Sequence, residues 1–249
     1  MKHTLKAVIL IFLISLGQLF AQDAKEIVRK SNELIRSKGS YSKITMEVIK
    51  PDWSRKMEMK VWALEPDYSL LLITKPAKNK GYVTLKRKKE VWNWIPSVRR
   101  VIKIPPSMML QSWMGSDFTN DDLVRQSSIV DDYTHEIIGS EVIDGYKCHK
   151  IVLIPKPEAG VVWGKIIMWV SEKEYLQLKA DHFDEDGEII KTMVGSNVKK
   201  MGGRLIPSYW EMIPHNKPGQ KTVMEYLEIE FNVKHKTSFF SQQNMKKVR

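Results

Sequence analysis

The feature that most constrains the fold of this 249-residue chain is an alternation of apolar and polar residues with a period of two. At positions 44–48 and again at 57–61, Ile, Met and Val alternate with Lys, Thr and Glu. A strand with this pattern turns one face to a core and the other to solvent, which is typical of antiparallel sheets. Such segments recur as far as position 232, separated by turn residues such as Asp186-Gly187, and predict about eleven strands.

Two further segments can cover one face of such a sheet. The stretch between Asp23 and Gly39 has apolar residues at helical spacing, with Asp23 able to cap its start and Gly39 its end, and predicts an amphipathic helix. A helix on a membrane surface is the alternative. After Pro105, Thr119 with Asp122 three residues later resembles a capping box that opens a second helix. We therefore predict a mainly antiparallel β fold with helices, in which a strongly curved sheet must close, stack on another or be covered, with the N-terminal helix and a helical insert as the available covers.

The first 21 residues have the composition of a secretory signal peptide. Two lysines precede the apolar run 7–16, and Ala21 is a small residue suited to cleavage. A membrane anchor is the weaker alternative, because a spanning helix needs about 20 apolar residues. The sequence thus predicts a signal peptide at 1–21 and a single exported domain at 22–249.

The charge of the chain bears on its partners. It contains 40 Lys and Arg against 29 Asp and Glu, and the predicted signal removes two lysines and no acid, which leaves an excess of +9. In an exported protein the available polyanions are phospholipid and lipopolysaccharide head groups, so the charge favours membrane or lipid partners over nucleic acid. Basic side chains scattered on outward strand positions are the alternative.

A stretch rich in Trp and Met, bounded by prolines, is the candidate ligand surface. Methionine has several low-cost rotamers and a polarisable sulfur, which suits apolar ligands of variable shape. We predict that one cavity for acyl chains is lined by Trp92, Trp94, Met108, Met109, Leu110, Trp113, Met114 and Phe118, with Met46, Met57 and Met59 from the strands. Arg99 and Arg100 flank the aromatic strand, and we expect them at the rim, where they would contact a partner. For any single aromatic residue, filling of the core is the alternative.

No pattern predicts catalysis, a cofactor or a metal site. The acidic stretch before Gly187 does not fit a calcium loop, because its first ligand position falls on His182 and its last on Met193. The histidines lack zinc-ligand spacing, and the common nucleotide-binding and hydrolase motifs are absent. Cys148 lies beside His149 in a segment that predicts a buried strand, so a thiol nucleophile is the weaker interpretation. A hydrolase built from dispersed acids is the least favoured function.

Several short motifs resemble those of the outer-membrane lipoprotein-sorting family, the LolA-like proteins. They are Trp92-Asn93-Trp94-Ile95-Pro96, Arg99-Arg100, and Gly115-Ser116-Asp117-Phe118 followed by Asp121-Asp122-Leu123. The order of elements also fits, from the signal peptide to a terminal Phe239-Phe240-Ser241 segment. The Gly-Ser-Asp-Phe segment is typical of a subgroup whose members often accompany large inner-membrane lipid exporters of the RND type.

The resemblance implies a LolA/LolB-like incomplete, half-open β-barrel, covered by helices, whose apolar cavity shelters acyl chains in the periplasm of a Gram-negative envelope. The expected function is a non-catalytic carrier of lipoproteins or related lipids to the outer membrane. We expect a monomer that contacts the outer membrane transiently and has an RND-type exporter as a further partner. A non-catalytic scaffold or adaptor of such an exporter remains the alternative.

Overall fold

Thirteen strands in one sheet make up most of the computed structural model, which describes residues 24–124, 128–161 and 163–248. They are β1 (Gly39–Lys50), β2 (Trp53–Leu64), β3 (Tyr68–Lys75), β4 (Val83–Arg87), β5 (Glu90–Ile95), β6 (Arg100–Ile104), β7 (Tyr133–Ile143), β8 (Tyr146–Pro155), β9 (Lys165–Ser171), β10 (Gln177–Phe183), β11 (Ile189–Met201), β12 (Arg204–Pro214) and β13 (Lys221–Phe231). The predicted antiparallel β fold with few helices is confirmed. The count of about eleven is corrected to thirteen, because a count from alternation depends on where each turn is placed.

The strand order is β6-β5-β4-β3-β2-β1-β13-β12-β11-β10-β9-β8-β7, and all neighbouring pairs are antiparallel. The sheet thus consists of two meanders, β1–β6 and β7–β13, joined where β1 pairs with β13. Because β6 and β7 lie at opposite edges, the sheet is open within the described chain. The insert that links these two strands has to run from one edge to the other across a face of the sheet.

The described part of the chain also contains three short α-helices: α1 (24–34), α2 (Asn120–Val124) and α3 (Gln242–Met245). The amphipathic N-terminal helix was predicted, but its C-terminal boundary was wrong. Gly39 is not its cap but the first residue of β1, where an added Cβ would lie 2.1 Å from the carbonyl oxygen of Val233. Glycine is therefore needed there for the close approach of two backbones.

Residues 1–23 lie outside the described part of the chain, and with them the predicted signal peptide and the capping role of Asp23. In the ranges that the structure describes, no helix combines the length and the apolar character needed to cross a bilayer.

The sheet has two differently covered faces. The inner face carries Met46, Met57 and Met193, and it packs against α1 and the insert. The outer face carries Leu85 and Trp92, and it packs against the C-terminal segment, residues 232–248. Each cover supplies the apolar partner that one face of an amphipathic sheet requires. The inner face is covered by two separate elements, α1 and the insert, and a ligand site between sheet and cover is sought there.

Candidate functional site

The helix α2 begins with the capping box that the sequence predicted. The amide of Asp122 donates to Thr119 Oγ1 at 3.0 Å, and the amide of Thr119 donates to Asp122 Oδ2 at 2.7 Å. Two backbone donors that have no partner inside the helix are thereby satisfied. The shorter Asp side chain can replace the usual Glu in this motif.

Asp122 also ties α2 to the sheet. Its Oδ2 accepts a hydrogen bond from Lys191 Nζ at 2.7 Å, and the side chain of Lys191 on β11 is only 5% exposed. Burial alone would raise the pKa of Asp122, but the charge and hydrogen bond of Lys191 and the cap at Thr119 hold it below its ordinary value. Breaking such a buried pair by removal of one partner is costly, because the other charge remains in a low-dielectric site.

The Gly-Ser-Asp-Phe segment anchors the preceding part of the insert to β13. The hydroxyl of Thr222 donates to Asp117 Oδ2 at 2.7 Å and its Oγ1 accepts from the amide of Asp117 at 2.9 Å, while Gln220 Nε2 donates to Asp117 Oδ1. At the start of the segment the backbone turns sharply, with a φ of 49° at Met114 and of 76° at Gly115. Arg55 donates to the carbonyl of Met114. The motif therefore has a structural reason: it fixes a tight turn on the inner face.

Between α1, α2 and strands β9–β13 lies a cavity of about 170 Å³. Its floor is rich in methionine, with one such residue on each of four strands, and the lining also includes aromatic side chains. These residues are Met168, Met193, Met212, Met224, Trp210, Tyr226 and Phe118. Trp210 lies against Gly195, where an added Cβ would be 2.9 Å from the indole. The cavity can hold an apolar group, and its floor can adapt to shape because methionine is flexible.

Polar side chains also line the cavity. They are Asn32, Arg36, Asp121, Asp122, Gln177 and His182. His182 is 8% exposed and pairs with Lys191 across the β10–β11 ladder. Burial, and next the positive charge of Lys191, lower the pKa of His182 to about 4. The imidazole is therefore neutral at neutral pH, and the cavity wall combines apolar side chains with polar ones.

The predicted lipid-binding residues do not line one cavity. Met46, Met57, Met59, Trp113 and Phe118 are buried in one inner-face cluster, with Met114 packed against it, and of the whole predicted set only Phe118 lines the cavity. Met109 packs with Val91 and Ile104 elsewhere, and Met108 and Leu110 are exposed. Whether any of these residues binds lipid stays a prediction.

Trp92 and Trp94 lie on the opposite face from the insert. They pack on the outer face against Phe240 and its neighbours. Asn93, between them, points to the inner face, where its Oδ1 accepts from Thr84, whose hydroxyl in turn accepts from Trp113 Nε1 at 3.3 Å. Neighbouring residues of a strand point to opposite faces. Trp92 therefore points away from the face on which Asn93 and Trp113 lie, and the two tryptophans cannot line the same cavity.

Arg99 and Arg100 lie away from the cavity. Both are exposed, Arg99 in the turn before β6 with a φ of 51° and Arg100 at the start of that edge strand. No residue of β5 or β6 is among the described residues that line the cavity. The expected place at its rim is therefore corrected, while a role in partner binding stays a prediction.

The methionines of β9, β11, β12 and β13 were missed from the sequence. Each occupies an inward position of an alternating strand, and this signal could have identified them once the strand order was known. Within the described ranges no group of three or more His, Cys, Asp or Glu side chains could hold a metal ion. Cys148 is buried, and burial raises the pKa of its thiol, which disfavours a nucleophilic thiolate.

A family model with the description "Uncharacterized protein" matches residues 65–247. No curated protein matches the chain in sequence.

Three solved structures have the same fold, each at 21% identity. A DUF1329 family protein from Desulfovibrio piger has a TM-score of 0.82 over 91% of this chain and 99% of its own. A putative outer membrane lipoprotein-sorting protein domain from Vibrio parahaemolyticus has a TM-score of 0.80 over 91% and 99%. A LolA superfamily protein from Nitrosomonas europaea has a TM-score of 0.76 over 89% and 98%. The predicted resemblance to LolA-like proteins is confirmed at the level of the fold.

Proposed function

The chain belongs to the family of the model described as "Uncharacterized protein", and on that premise we propose that it is a non-catalytic periplasmic carrier that shelters acyl chains of lipoproteins or related lipids on their way to the outer membrane. The observation that carries the proposal is the methionine-rich cavity of about 170 Å³ under α1 and α2. The LolA-type fold supports it, as does the similarity to a protein described as a putative lipoprotein-sorting domain.

The energetics of acyl transfer explain why such a cavity is useful. A C16 chain loses roughly 13 kcal/mol in water, at about 0.8 kcal/mol for each CH₂ group, so its unaided passage between membranes is very slow. A cavity that recovers most of this free energy makes the chain soluble. It must not recover more than the acceptor membrane does, because the cargo has to be released.

The cavity is small for this task, and its cover must move to admit a whole chain. A cavity of about 150 Å³ holds a molecule of the size of benzene. Helix α2 has only five residues, and its tie to β11 is the polar pair Asp122–Lys191, whose groups can exchange for water when the helix moves. In contrast, the preceding turn is anchored through Asp117. We infer that α2 opens while the turn stays in place.

The remaining parts of the proposal concern location and partners. Residues 1–21 direct the chain to the periplasm, and the excess of basic residues favours transient contact with acidic membrane surfaces. An RND-type exporter is the proposed donor of cargo. The alternative is a scaffold or adaptor of such an exporter, which would have no need to bind lipid.

Lipid binding by the mature chain, residues 22–249, tests the proposal. We expect a fluorescent fatty acid to bind the wild type, and mass spectrometry of the natively purified protein to detect copurified acyl lipid. Met193→Asp should abolish binding, since a carboxylate in the cavity opposes an apolar tail. The fold should survive, because Met193 is only partly buried.

Leu205→Asp is the matched control. Leu205 is 41% exposed and does not line the cavity, so the same new charge should leave binding unchanged. Melting temperatures of both variants check the fold. A folded Met193→Asp variant with normal binding would refute the cavity assignment, and a wild type that binds no acyl lipid would favour the adaptor.

A further inference from the structure

The C-terminal segment forms a basic pocket at the molecular surface, separate from the methionine-rich cavity. This pocket has a volume of about 510 Å³, and no acidic side chain is among the described residues that line it. Five of its lining side chains are exposed and carry hydrogen-bond donors: Lys234, Lys236, Ser238, Gln243 and Lys247. A group with negatively charged oxygens suits such a lining, because donors that carry a charge make the stronger hydrogen bonds to it.

The charge of the C-terminal segment is one-sided. The segment contains four lysines and no Asp or Glu, although the whole chain has 29 acidic residues among 249. Lys234, Lys236 and Lys247 form no ion pair within the ranges that the structure describes. On the neighbouring strands, in contrast, lysines pair with acids across the ladder, as Lys43 does with Glu228. The positive potential of the pocket is therefore left for an external anion.

A second basic pocket adjoins the first through α3. Gln242 of α3 lines this second pocket together with exposed residues of the β4–β5 turn, and its single acid, Glu90, is paired with Lys103. The basic residues of the turn are Arg87, Lys88 and Lys89. Cations that are spread over two elements in this way fit a layer of anionic head groups better than one small ion.

The start of the C-terminal segment is bound to the residues that follow α1. The amide of Asn232 donates to Ser37 Oγ at 3.2 Å, and the amide of Val233 donates to the carbonyl of Gly39 at 2.9 Å. Arg36, which precedes Ser37 in the chain, lines the methionine-rich cavity. A surface that docks through the basic pocket therefore brings the part of the cavity beside the end of α1 towards the head groups.

We propose that the C-terminal segment docks the protein on an anionic bilayer, where Lys234, Lys236 and Lys247 bind lipid phosphates. The inference rests on the membrane contact proposed above and specifies the surface that makes it. Lysine binds phosphate as a point charge on a flexible stem, which suits head groups that move in a fluid layer. Salt screens contacts between exposed charges, so the docking is reversible.

Binding of the mature chain, residues 22–249, to lipid vesicles tests the proposal. Vesicles of phosphatidylcholine with about a quarter phosphatidylglycerol supply the anionic surface, and phosphatidylcholine alone is the uncharged reference. We expect the wild type to bind the anionic vesicles at low salt and the reference about tenfold more weakly or less. The triple variant Lys234→Gln, Lys236→Gln, Lys247→Gln should bind the anionic vesicles about a hundredfold more weakly, since each lysine at an acidic surface contributes roughly a factor of five.

A second triple variant, Lys173→Gln, Lys199→Gln, Lys200→Gln, is the matched control. These lysines are also exposed and line neither basic pocket, so the same loss of charge should weaken binding far less. Binding of a fluorescent fatty acid should be unchanged in both variants, because none of the six lysines lines the methionine-rich cavity. Melting temperatures check that both variants are folded.

Inorganic phosphate distinguishes a head-group layer from a free ion. At equal ionic strength, phosphate should displace the wild type from the anionic vesicles no more strongly than chloride does. Stronger displacement by phosphate would make the pocket a site for a free anion and would overturn the docking.

The remaining outcomes separate this inference from the proposed function. If the two triple variants lose vesicle binding equally, net charge determines the contact, and the inference is overturned while the membrane contact stands. A wild type that binds no anionic vesicle would overturn both the inference and the membrane contact. Fatty-acid binding of the same protein decides independently whether the carrier function stands.

Discussion

A single carboxylate, that of Asp122, serves two elements. It completes the capping box of α2 and neutralises Lys191, which the β11 backbone holds in the interior. A buried charge pair contributes little net stability, yet loss of one member leaves the other uncompensated. Removal of either partner should therefore weaken the attachment of α2 to the sheet more than the pair itself stabilises it, while Leu123 of the same helix still packs against the inner-face cluster.

The stability of the fold should depend on pH through His182. Its pKa is about 4 in the folded chain and 6.5 in its ordinary range, so the unfolded chain takes up a proton first as the pH falls. Stability should therefore decrease between about pH 6.5 and about pH 4, by roughly 3 kcal/mol for this shift. Urea unfolding across this range measures the effect.

The variant His182→Asn should flatten this dependence. His135, whose pKa is also lowered by burial, remains in the variant and should leave a smaller slope of the same sign. Asp122, with its lowered pKa, loses its contribution only at a pH below its ordinary value of 3.8, outside the window. Equal slopes for wild type and variant would show that His182 is not held neutral by the fold.

At the level of residues, the sequence could predict local contacts but not distant ones. The capping box was predictable because Thr119 and Asp122 are three positions apart and the backbone of one helical turn brings them together. The ion pair with Lys191 joins residues 69 positions apart, and no local pattern identifies it. For the same reason His182 was not identified as a cavity residue, because the acidic residues that follow it predict only a hairpin turn.

Among the elements, α2 is the one whose formation depends most on a single hydroxyl. Thr119→Ala removes the acceptor for the amide of Asp122 and should destabilise this five-residue helix by about 1 kcal/mol. Hydrogen exchange of residues 120–124 should become faster, with little change in the sheet. The control is Thr134→Ala, at an exposed position of β7. If the protection of residues 120–124 is unchanged, the hydroxyl of Thr119 does not stabilise α2.

The two tryptophans of β5 show where element-level prediction stopped. Their alternation with Asn93 correctly places them on one face of a strand, but the sequence does not say which cover lies on that face. The C-terminal segment occupies it with Phe240, and the insert lies on the other face. Proximity in sequence to the insert was therefore no guide to proximity in space.

For the whole molecule, the cavity follows from the strand order, which is not local information. The meander could be predicted from alternation, but the pairing of β1 with β13 could not, and this pairing brings Met46 and Met224 opposite each other. The methionine-rich floor on the β9–β13 side was missed for that reason. The LolA-like fold was recognised through the Gly-Ser-Asp-Phe segment, whose anchoring contacts the structure explains.

The charge of the molecule predicts a salt-dependent attraction to acidic surfaces. Reversal of Arg99 and Arg100 to Glu, at one edge of the sheet, should weaken binding to anionic liposomes, more at low salt than at high salt. Reversal of Lys199 and Lys200, exposed on β11, changes the net charge equally and is the control. Liposome cosedimentation measures both. An identical loss in the two variants would mean that net charge, and not this edge, determines binding.

The pairing of β1 with β13 also has a consequence for how the chain reaches its structure. The central seam of the sheet joins the first strand to the last, so it forms only when nearly the whole polypeptide is present, and contacts of such sequence separation form slowly. Until then the two meanders have no common sheet, and the inner-face cluster, which draws on both, stays incomplete. A chain of this topology thus cannot complete the inner-face cluster until its last strand has been synthesised.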